Sequence, residues 1–473
     1  MSATANASAS VATNATSNAA TTNAAAMSAT THARDALQRS RATLRLGEDS
    51  VDVPTLLAHG REAWQAHADR RTPALAGIDS HAQLARLLAA LADDRRVVLC
   101  PPDAPLPPGC DARIGADASA SASASASMCA NADTDTHARD DARAAGGFAV
   151  LSSGTLGAPK RIWHRADALF ATGDAVRTRF ELSARERVLI AAPAHHLYGL
   201  GAALVPALLA DADILLLPRA HLLAFNDALR AFRPAHVFAT PHLLRQVLQR
   251  RHQPQPGCRG VVLAGDAVPA LVRERAPAVF GALRNLYGSS ELGVIAIARD
   301  DAPDALVPLP GVRVAPSDPA LARSTLRVRH PHAATHLDCG DGPVPFPQEW
   351  DTRDVVAFAD DGSFALHGRA DLAVNRAGRL VLLQDIERVA MDWPGVGVAV
   401  AVVTEADAIA GRAVALIVRP TDATLTVDAL RGFAQRDLPH FARPDRFAIA
   451  PDLPCLPSGK PDRNAITQEY RHG

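Results

Sequence analysis

Short apolar runs alternate with amphipathic stretches along most of the chain, a pattern typical of strands and helices in an α/β fold. Continuous apolar runs predict buried strands at 97–100, 148–151, 188–190, 214–217, 237–238 and 261–263. Helical spacing of apolar residues predicts helices around 84–91 and 224–232. Uninterrupted apolar strands separated by helices indicate parallel sheets covered on both faces, so we expect an α/β protein with a large, parallel-rich N-terminal domain.

The character of the chain changes near residue 368, where we place a domain boundary. A hairpin-like segment at 378–383, strands at 398–403 and 413–418, and a helix at 427–438 are predicted beyond it. We therefore expect a large domain at 34–367 and a small, mobile α+β domain at 368–473.

Two low-complexity segments interrupt this pattern. Residues 1–33 are mostly Ala, Ser, Thr and Asn, without a Lys, Arg, Asp or Glu. They predict a disordered tail. The alternative is an overlong start, since translation could also begin at Met27. A second segment at about 110–145, with Ala-Ser alternation at 116–127, predicts a flexible surface insert.

Charge and cysteine usage narrow the function classes. The 49 Lys and Arg balance the 50 Asp and Glu, which gives no bulk attraction to nucleic acid. The six cysteines lack paired spacing, which disfavours a disulfide framework or a zinc site and fits a reducing cytosol. Because no apolar run approaches the roughly 20 residues of a membrane helix, and no secretory signal pattern is present, we expect a cytoplasmic protein without membrane insertion.

The first candidate site is the polar loop after the predicted strand at 148–151. It combines three hydroxyls, two glycines and a lysine, residue types that let a loop approach and hydrogen-bond a polyphosphate. No Gly-Lys-Ser/Thr closes it, so it is not a Walker P-loop. The alternative is an ordinary polar turn. The candidate residues are Ser152, Ser153, Gly154, Thr155, Gly157 and Lys160.

A second candidate is the segment 285–291, which follows a predicted helix and resembles a loop at a strand end. Glu291 offers a carboxylate for a divalent cation, Tyr287 a stacking face, and Asn285 an amide that could read an exocyclic amine. The alternative is a capped turn in which Ser290 and Glu291 begin a helix.

Three further segments carry charged or titratable side chains. Residues 351–354 and 368–371 place carboxylates and an arginine where a ribose or a phosphate could bind, or where surface ion pairs form. Residues 457–463 hold Lys460 in a turn near the C-terminus, or leave it simply exposed. Residues 193–200 place two histidines and a tyrosine after a strand. We expect these side chains to line a substrate pocket, and we favour this role over catalysis by His196.

In this order and spacing, the segments resemble the signature motifs of the acyl-adenylate-forming superfamily. That group includes acyl- and aryl-CoA ligases, adenylation domains of peptide synthetases, and luciferase. The similarity runs from Phe148 to Arg463. It implies a reaction that activates a carboxylic acid with ATP and Mg²⁺ and transfers the acyl group to CoA or a phosphopantetheinyl carrier protein.

The resemblance also implies roles for individual residues. Lys460 would complete adenylation, and Glu291 would hold Mg²⁺. Asp371 would be the hinge between the large and small domains, and Gly378 would lie on the side of the active site that receives the thiol acceptor. Nucleotide contacts are implied for the polar loop and for Gly265, Asp266, Ala267, Asn285, Tyr287, Gly288, Ser289, Ser290, Asp354 and Arg369. An acyl pocket is implied for His196, Tyr198, Gly199, Leu292 and Gly293.

Several positions depart from the family pattern. Leu156 replaces a hydroxyl residue and Arg161 a glycine, which leaves the phosphate loop with fewer donors. Arg353 replaces the glycine of a Thr-Gly-Asp motif, and Asn375 stands where many members have lysine. A benzoate-like or other acyl substrate is expected. The alternative is a degenerate, non-catalytic member that binds nucleotide or an acyl ligand.

Overall fold

The structure is a computed structural model of the chain. It describes residues 35–107, 109–115, 147–152, 160–218, 220–251, 253–266, 268–339, 342–376, 379–405, 412–455 and 461–470. The predicted tail at 1–33 and the Ala-Ser alternation at 116–127 lie outside these ranges. Ala112–Ile114, near the start of the insert that we predict at about 110–145, forms a strand, and the insert itself stays a prediction. Residues 112–114 pair in parallel with β3, which spans Pro73–Ala76.

The secondary structure alternates between strands and helices. The strands are β1 Thr43–Leu46, β2 Asp49–Asp52, β3 Pro73–Ala76, β4 Val97–Cys100, β5 Ala112–Ile114, β6 Phe148–Ser152, β7 Lys160–His164, β8 Arg187–Ile190, β9 Asp213–Leu216, β10 His236–Ala239, β11 Gly260–Ala264, β12 Ala282–Ser289, β13 Gly293–Ala298, β14 Leu306–Pro308, β15 Arg313–Pro316, β16 Ser324–Arg329, β17 His336–Asp338, β18 Pro343–Pro345, β19 Trp350–Phe358, β20 Phe364–Arg369, β21 Ala373–Arg376, β22 Arg379–Leu382, β23 Val396–Glu405, β24 Arg412–Pro420 and β25 Arg446–Ile449. The α-helices are α1 Val53–Gln65, α2 His81–Ala92, α3 Ala166–Arg179, α4 Val205–Leu209, α5 Leu222–Phe232, α6 Pro241–Leu248, α7 Ala270–Phe280, α8 Leu383–Ala390, α9 Val427–Asp437 and α10 Arg463–Glu469. A π-helix spans Tyr198–Leu204, and 3₁₀ turns span Ala370–Leu372 and His440–Ala442.

The chain folds into two compact units. The first comprises the chain through Phe238 together with Ser289–Val294 and Pro331–Phe346. The second comprises Ala239–Gly288, Ile295–His330 and the chain from Pro347 onward. The boundary that we predict at 367/368 falls inside the second unit and stays a prediction.

The first unit contains a seven-stranded sheet in the order β18-β17-β7-β6-β4-β3-β5 and a group of strands in the order β2-β1-β9-β8-β10. Strands β5, β3, β4 and β6 pair in parallel, as do β1, β9, β8 and β10. In the second unit, β11 and β12 are parallel, whereas the run β13-β14-β20-β19-β16-β15 includes antiparallel pairs only. The predicted α/β class is confirmed, and the antiparallel strands add to the parallel core that the apolar runs predicted.

Local sequence explains why particular elements form. Helix α2 buries Leu84, Leu87, Leu88 and Leu91, which are spaced three and four residues apart and therefore share one face. Ser80 caps this helix, because its side chain accepts from the Gln83 amide. Strand β4, which follows helix α2 in the chain, is buried at all four positions, in agreement with the uninterrupted apolar run in the sequence.

Residues beyond 373 pack around the sheet β23-β24-β25. Successive side chains of a strand point to opposite faces. Ala399 and Ala401 accordingly belong to one apolar cluster, whereas Val400 and Val402 belong to another. Helices α8 and α9 contribute to the first cluster and α10 to the second. Both clusters consist of residues between Val374 and Tyr470, so this segment buries its own core.

No helix in the described part of the chain is long and apolar enough to cross a membrane.

Candidate active site

The segment 285–291 is mostly strand. Strand β12 runs through Ser289, and only residues 290–292 form a turn before β13. The prediction of a loop from Asn285 is therefore wrong, and so is the alternative in which Ser290 and Glu291 begin a helix. The physical reason is tertiary: β12 pairs in parallel with β11, which places Asn285 opposite Leu263.

Gly265 and Asp266 follow directly after β11, at the carboxyl end of this parallel pair. Both are exposed. The carboxyl ends of parallel strands are where α/β sheets place ligands. Gly265 has a φ of +87°, a conformation that glycine adopts without strain. Ala267 lies outside the described residues.

Three predicted site residues of the second unit form one hydrogen-bonded group. The Tyr287 hydroxyl donates to Oδ2 of Asp354 at 2.5 Å. Nη1 of Arg369 donates to Oδ1 of the same carboxylate at 3.3 Å. Asp354 and Arg369 are direct cross-strand partners on β19 and β20, so the sheet register brings them together.

Burial controls the electrostatics of this group. It raises the pKa of Asp354, while the hydrogen bond from Tyr287 and the charge of Arg369 act in the opposite direction. Burial, followed by the neighbouring Asp354 charge, raises the pKa of Tyr287 well above its ordinary value. The Tyr287 residue is 7% exposed, and its ring meets Phe364 edge to face. The stacking face that we predict for Tyr287 is thus mostly covered, and its hydroxyl instead orients Asp354.

Arg369 also pairs with the predicted hinge residue, Asp371. Its Nε donates to Oδ1 of Asp371 at 2.9 Å, and its backbone N–H donates to the side chain of Gln384 at 3.0 Å. Asp371 lies in the 3₁₀ turn after β20. The Arg369 guanidinium therefore contacts both Asp354, the candidate for ribose binding, and Asp371, the candidate hinge residue.

Arg353, which stands at a glycine position of the family pattern, adopts a left-handed backbone conformation that favours glycine. Its φ is +64°, and its backbone N–H donates to Oδ1 of Asp351 at 2.8 Å. A side chain in this region costs roughly 1–2 kcal/mol. Arginine thus holds this backbone conformation at the cost of strain.

In the first unit, the turn that carries Ser290 and Glu291 is held at several points. The His164 ring contacts the Ser290 carbonyl through Nε2 at 2.8 Å, and the Ala334 N–H donates to the Glu291 carbonyl at 2.8 Å. Ser289 accepts from the Leu292 N–H at 3.2 Å. His164 and Ala334 are remote in sequence and carry no motif, so sequence reasoning missed them.

The polar loop is bracketed by an antiparallel pair of strands. Ser152 at the end of β6 pairs with Lys160 at the start of β7. Lys160 is exposed. Ser153, Gly154, Thr155 and Gly157 lie outside the described residues.

Arg161, which replaces a family glycine, forms a buried ion pair. Its Nη2 lies 2.5 Å from Oδ2 of Asp338, its cross-strand partner on β17, and the two side chains are 13% and 5% exposed. A Cβ at Gly109 would lie 2.6 Å from this guanidinium, so that glycine makes room for it. The charge of Arg161 is therefore balanced within the sheet.

The histidine pair lies between β8 and the π-helix. The rings of His195 and His196 are 4.3 Å apart. Burial lowers the pKa of His195 to about 3, which keeps this imidazole neutral. Tyr198 begins the π-helix, an element that is frequent at functional sites. A Cβ on Gly199 would lie 2.2 Å from the Pro193 carbonyl oxygen, so only glycine fits there.

A cavity lies in the first unit beside Gly293, which is one of the predicted acyl-pocket residues. Leu197 and Gly201 line it, whereas His196, Tyr198, Gly199 and Leu292 do not. The remaining lining residues are Phe148, His164, Ala168, Leu169, Thr172, Val294 and His332. Among these described residues no Lys, Arg, Asp or Glu occurs, and burial lowers the pKa of His332.

Among the described residues, no group of three His, Cys, Asp or Glu side chains forms a metal site. A single carboxylate such as Glu291 nevertheless suits Mg²⁺, which proteins commonly hold through one or two carboxylates plus substrate phosphates. Lys460 and Gly378 lie outside the described residues.

Comparison with known proteins identifies the family. The AMP-binding enzyme family matches residues 19–325, and the AMP-binding enzyme C-terminal domain matches residues 385–460. The chain belongs to the AMP-binding enzyme family. This confirms the predicted resemblance to the acyl-adenylate-forming superfamily.

Curated relatives of this AMP-binding enzyme include ligases for aromatic acids. It is 31% identical to a 4-coumarate–CoA ligase of Rhodobacter capsulatus over 67% of the chain and 76% of that protein. It is 29% identical to novobiocin biosynthesis protein H of Streptomyces niveus over 70% of the chain and 60% of that protein. The phosphinothricin tripeptide synthetase PhsC of Streptomyces viridochromogenes is 30% identical over 67% of the chain but 31% of its own length. The chain thus spans less than two thirds of two of these relatives.

Solved structures share the fold of the AMP-binding enzyme. ATP-bound MatB from Rhodopseudomonas palustris superimposes with a TM-score of 0.75 at 18% identity, over 94% of this chain and 99% of that one. The anthranilate CoA ligase AuaEII gives a TM-score of 0.75 at 16% identity, over 93% and 97%. At these identities the likeness establishes the fold.

Proposed function

We propose that this AMP-binding enzyme activates a carboxylic acid with ATP, releases pyrophosphate, and passes the acyl group from acyl-AMP to a pantetheine thiol. The observation that carries the proposal is the Asp354 carboxylate, which Tyr287 and Arg369 orient from two sides. A carboxylate fixed in this way is suited to accept hydrogen bonds from the vicinal hydroxyls of a ribose.

The first step makes the mixed anhydride. A carboxylate oxygen of the acid attacks the α-phosphorus of ATP, and the bond from that phosphorus to the bridging oxygen of pyrophosphate breaks. Lys160 and Lys460 would balance the phosphate charge that accumulates, and Glu291 would hold Mg²⁺. When bound, Mg²⁺ neutralises phosphate charge.

In the second step, the thiol attacks the acyl carbon. The bond from this carbon to the AMP oxygen breaks, AMP leaves, and the thiol proton passes to solvent. The backbone around Gly378 would lie on the acceptor side. The thiol belongs to CoA or to a carrier protein, and names of relatives point to both: a CoA ligase and a peptide synthetase.

For the acid, the cavity beside Gly293 supports an uncharged acyl group. Its described lining provides neither an acidic partner for an ammonium group nor a basic partner for a second carboxylate. Its lining includes the aliphatic side chains of Leu169, Leu197 and Val294, which favour an apolar group. Relatives named for 4-coumarate and p-hydroxybenzoic acid fit the same class. An aromatic, benzoate-like acid is therefore proposed.

The test is acid-dependent ATP–pyrophosphate exchange across a panel of benzoates, cinnamates, fatty acids and amino acids. Exchange with an uncharged aromatic acid is expected, and Asp354→Asn is expected to raise the KM for ATP roughly ten- to hundredfold. Adding CoA or a pantetheinylated carrier protein then identifies the acceptor.

Absence of exchange with every acid, while ATP still binds, would instead support the non-catalytic alternative. Exchange only with amino acids would overturn the proposed substrate class but keep the reaction.

A further inference from the structure

One wall of the cavity beside Gly293 is a face of helix α3. Ala168, Leu169 and Thr172 line the cavity from this helix. Thr172 lies four residues beyond the first and three beyond the second, so all three are on the same side of the helix. The described lining residues belong to the first unit. A hydroxyl residue thus shares the cavity-facing side of α3 with apolar neighbours.

The Thr172 hydroxyl is buried without a hydrogen-bond partner among the residues that the structure describes. The residue is 7% exposed. Thr178, on the same helix, shows how a helical threonine is usually satisfied, because its hydroxyl donates to the Asp174 carbonyl one turn earlier at 2.9 Å. Buried polar groups in folded proteins nearly always have a partner, so the Thr172 hydroxyl requires an explanation.

The two other residues of the described lining with polar side chains, His164 and His332, interact with the protein itself. His164 contacts the Ser290 carbonyl through Nε2 at 2.8 Å. Burial lowers the pKa of His332, and the charges of Asp167 and Arg165 also act on this imidazole. The Thr172 hydroxyl is therefore the polar group that the described lining leaves for a ligand.

The surroundings of this hydroxyl decide what kind of ligand group it can recognise. No Lys, Arg, Asp or Glu occurs in the described lining, so a charged substituent would lose its hydration without a counter-ion. A threonine hydroxyl donates one hydrogen bond and accepts others, and a hydroxyl on the ligand does the same. A methyl group of similar size would instead leave the Thr172 hydroxyl buried and unpaired.

We propose that Thr172 is a substrate-specificity residue that hydrogen-bonds a hydroxyl substituent of the acid, so that the preferred substrate is a hydroxylated aromatic acid. The inference rests on the proposed function for the fate of the acid, whereas the binding contact itself needs no turnover. The substituent takes no part in the bonds that form and break. Losing the contact therefore changes KM more than kcat.

The test exchanges a hydroxyl for a methyl group in the protein and, separately, in the ligand. Thr172→Val makes this change in the protein, and the three hydroxybenzoate isomers are compared with the three methylbenzoate isomers. Acid-dependent ATP–pyrophosphate exchange gives kcat and KM for each acid. Isothermal titration calorimetry measures binding of the same acids, with and without α,β-methylene-ATP, which cannot release pyrophosphate. Thr178→Val is the control, because it makes the same change at an exposed position of the same helix.

We expect the parent to prefer one hydroxybenzoate over its methyl counterpart roughly tenfold or more in kcat/KM. In Thr172→Val this preference falls roughly ten- to hundredfold, because the substrate hydroxyl loses its partner while the methyl group no longer buries one. Thr172→Ser keeps the hydroxyl and retains most of the preference, and Thr178→Val matches the parent. Thr172→Ala removes the same hydroxyl if the valine variant does not fold.

The same preference in the parent and in Thr172→Val, or a parent that prefers no hydroxylated isomer, would overturn the role of Thr172. Exchange with these acids would still support the proposed function in either case. Binding of a hydroxybenzoate that depends on Thr172, in a chain without acid-dependent exchange, would keep the specificity contact and remove the proposed function. A parent that neither binds nor activates any of these acids would overturn both the specificity contact and the proposed substrate class.

Discussion

The hydroxyl of Tyr287 donates a 2.5 Å hydrogen bond to Asp354, a residue 67 positions further along the chain. It fixes one oxygen of the carboxylate, while Arg369 fixes the other. The tyrosine, which we expected to act through its ring, thus contributes through its hydroxyl to the orientation of the proposed ribose acceptor.

The first prediction concerns the pH dependence of ATP binding. The hydrogen bond from Tyr287 lowers the pKa of Asp354, so Tyr287→Phe raises that pKa further above the ordinary value. Because the ionised carboxylate accepts the ribose hydroxyls, the KM for ATP should begin to rise at a higher pH in the variant as the solution is acidified. The KM measured by pyrophosphate exchange between pH 5 and 8 checks this. Tyr470→Phe is the control. If the KM of Tyr287→Phe and that of the parent rise at the same pH, Tyr287 does not have this role.

The second prediction concerns backbone strain at Arg353. Because Arg353 has a φ of +64°, replacing it with glycine removes the steric cost of the side chain. The same replacement increases the conformational entropy of the unfolded chain, which acts in the opposite direction. Arg353→Gly should therefore raise the free energy of unfolding by roughly 0.5–1 kcal/mol. Urea unfolding measures the gain. Arg353→Ala keeps a Cβ in the strained region, and an equal gain in that variant would assign the effect to the lost arginine side chain.

The third prediction concerns the buried pair of Arg161 and Asp338. Replacing Asp338 with alanine leaves a buried guanidinium without its partner, which should cost about 3–5 kcal/mol. The double variant Arg161→Met with Asp338→Leu should recover most of this loss, because neither buried charge remains. A double-mutant cycle in thermal unfolding, with Arg161→Met and Asp338→Leu as its single variants, tests the coupling, and additive losses would contradict it.

The fourth prediction concerns Glu387 and Arg463, whose side chains lie 2.7 Å apart. Burial raises the pKa of Glu387, and Arg463 counteracts that shift, so Arg463→Met raises the pKa further. A raised carboxyl pKa means that the folded state holds its proton more tightly than the unfolded state. The stability of the variant relative to the parent should therefore be best near pH 4 and fall as the pH rises toward 7.

Melting temperatures of parent and variant across that range measure the effect. Arg431→Met, at an arginine in an exposed ion pair on α9, should show no such trend. A deficit of Arg463→Met that is independent of pH would show that lost packing, and not the Glu387 charge, is responsible.

The fifth prediction rests on sequence, since Lys460 lies outside the described residues. Lys460→Ala should abolish acid-dependent pyrophosphate exchange, because the proposed charge on the α-phosphate loses its partner. Thioester formation from preformed acyl-AMP should largely survive. Normal exchange in this variant would refute the assigned role.

The hydrophobic pattern by itself determined the α/β class and many of the elements. Strand β4 was predicted at its observed bounds, and strand β11 and helix α5 within two residues of theirs, because buried faces impose a local period that the chain displays directly. The motifs also identified the family. Where a polar, turn-forming residue such as Asn285 entered a strand, the local signal failed, because pairing with β11 outweighs its preference.

Only the tertiary structure decided which side chains meet. Distant pairs are joined in this way: Tyr287 with Asp354, His164 with Ser290, Arg161 with Asp338 and Arg245 with Gly397 lie 67 to 177 residues apart. Local periodicity reports which face of an element is buried, but not which element covers it. Strand order and register settle that choice, because they arise from the packing of the whole chain.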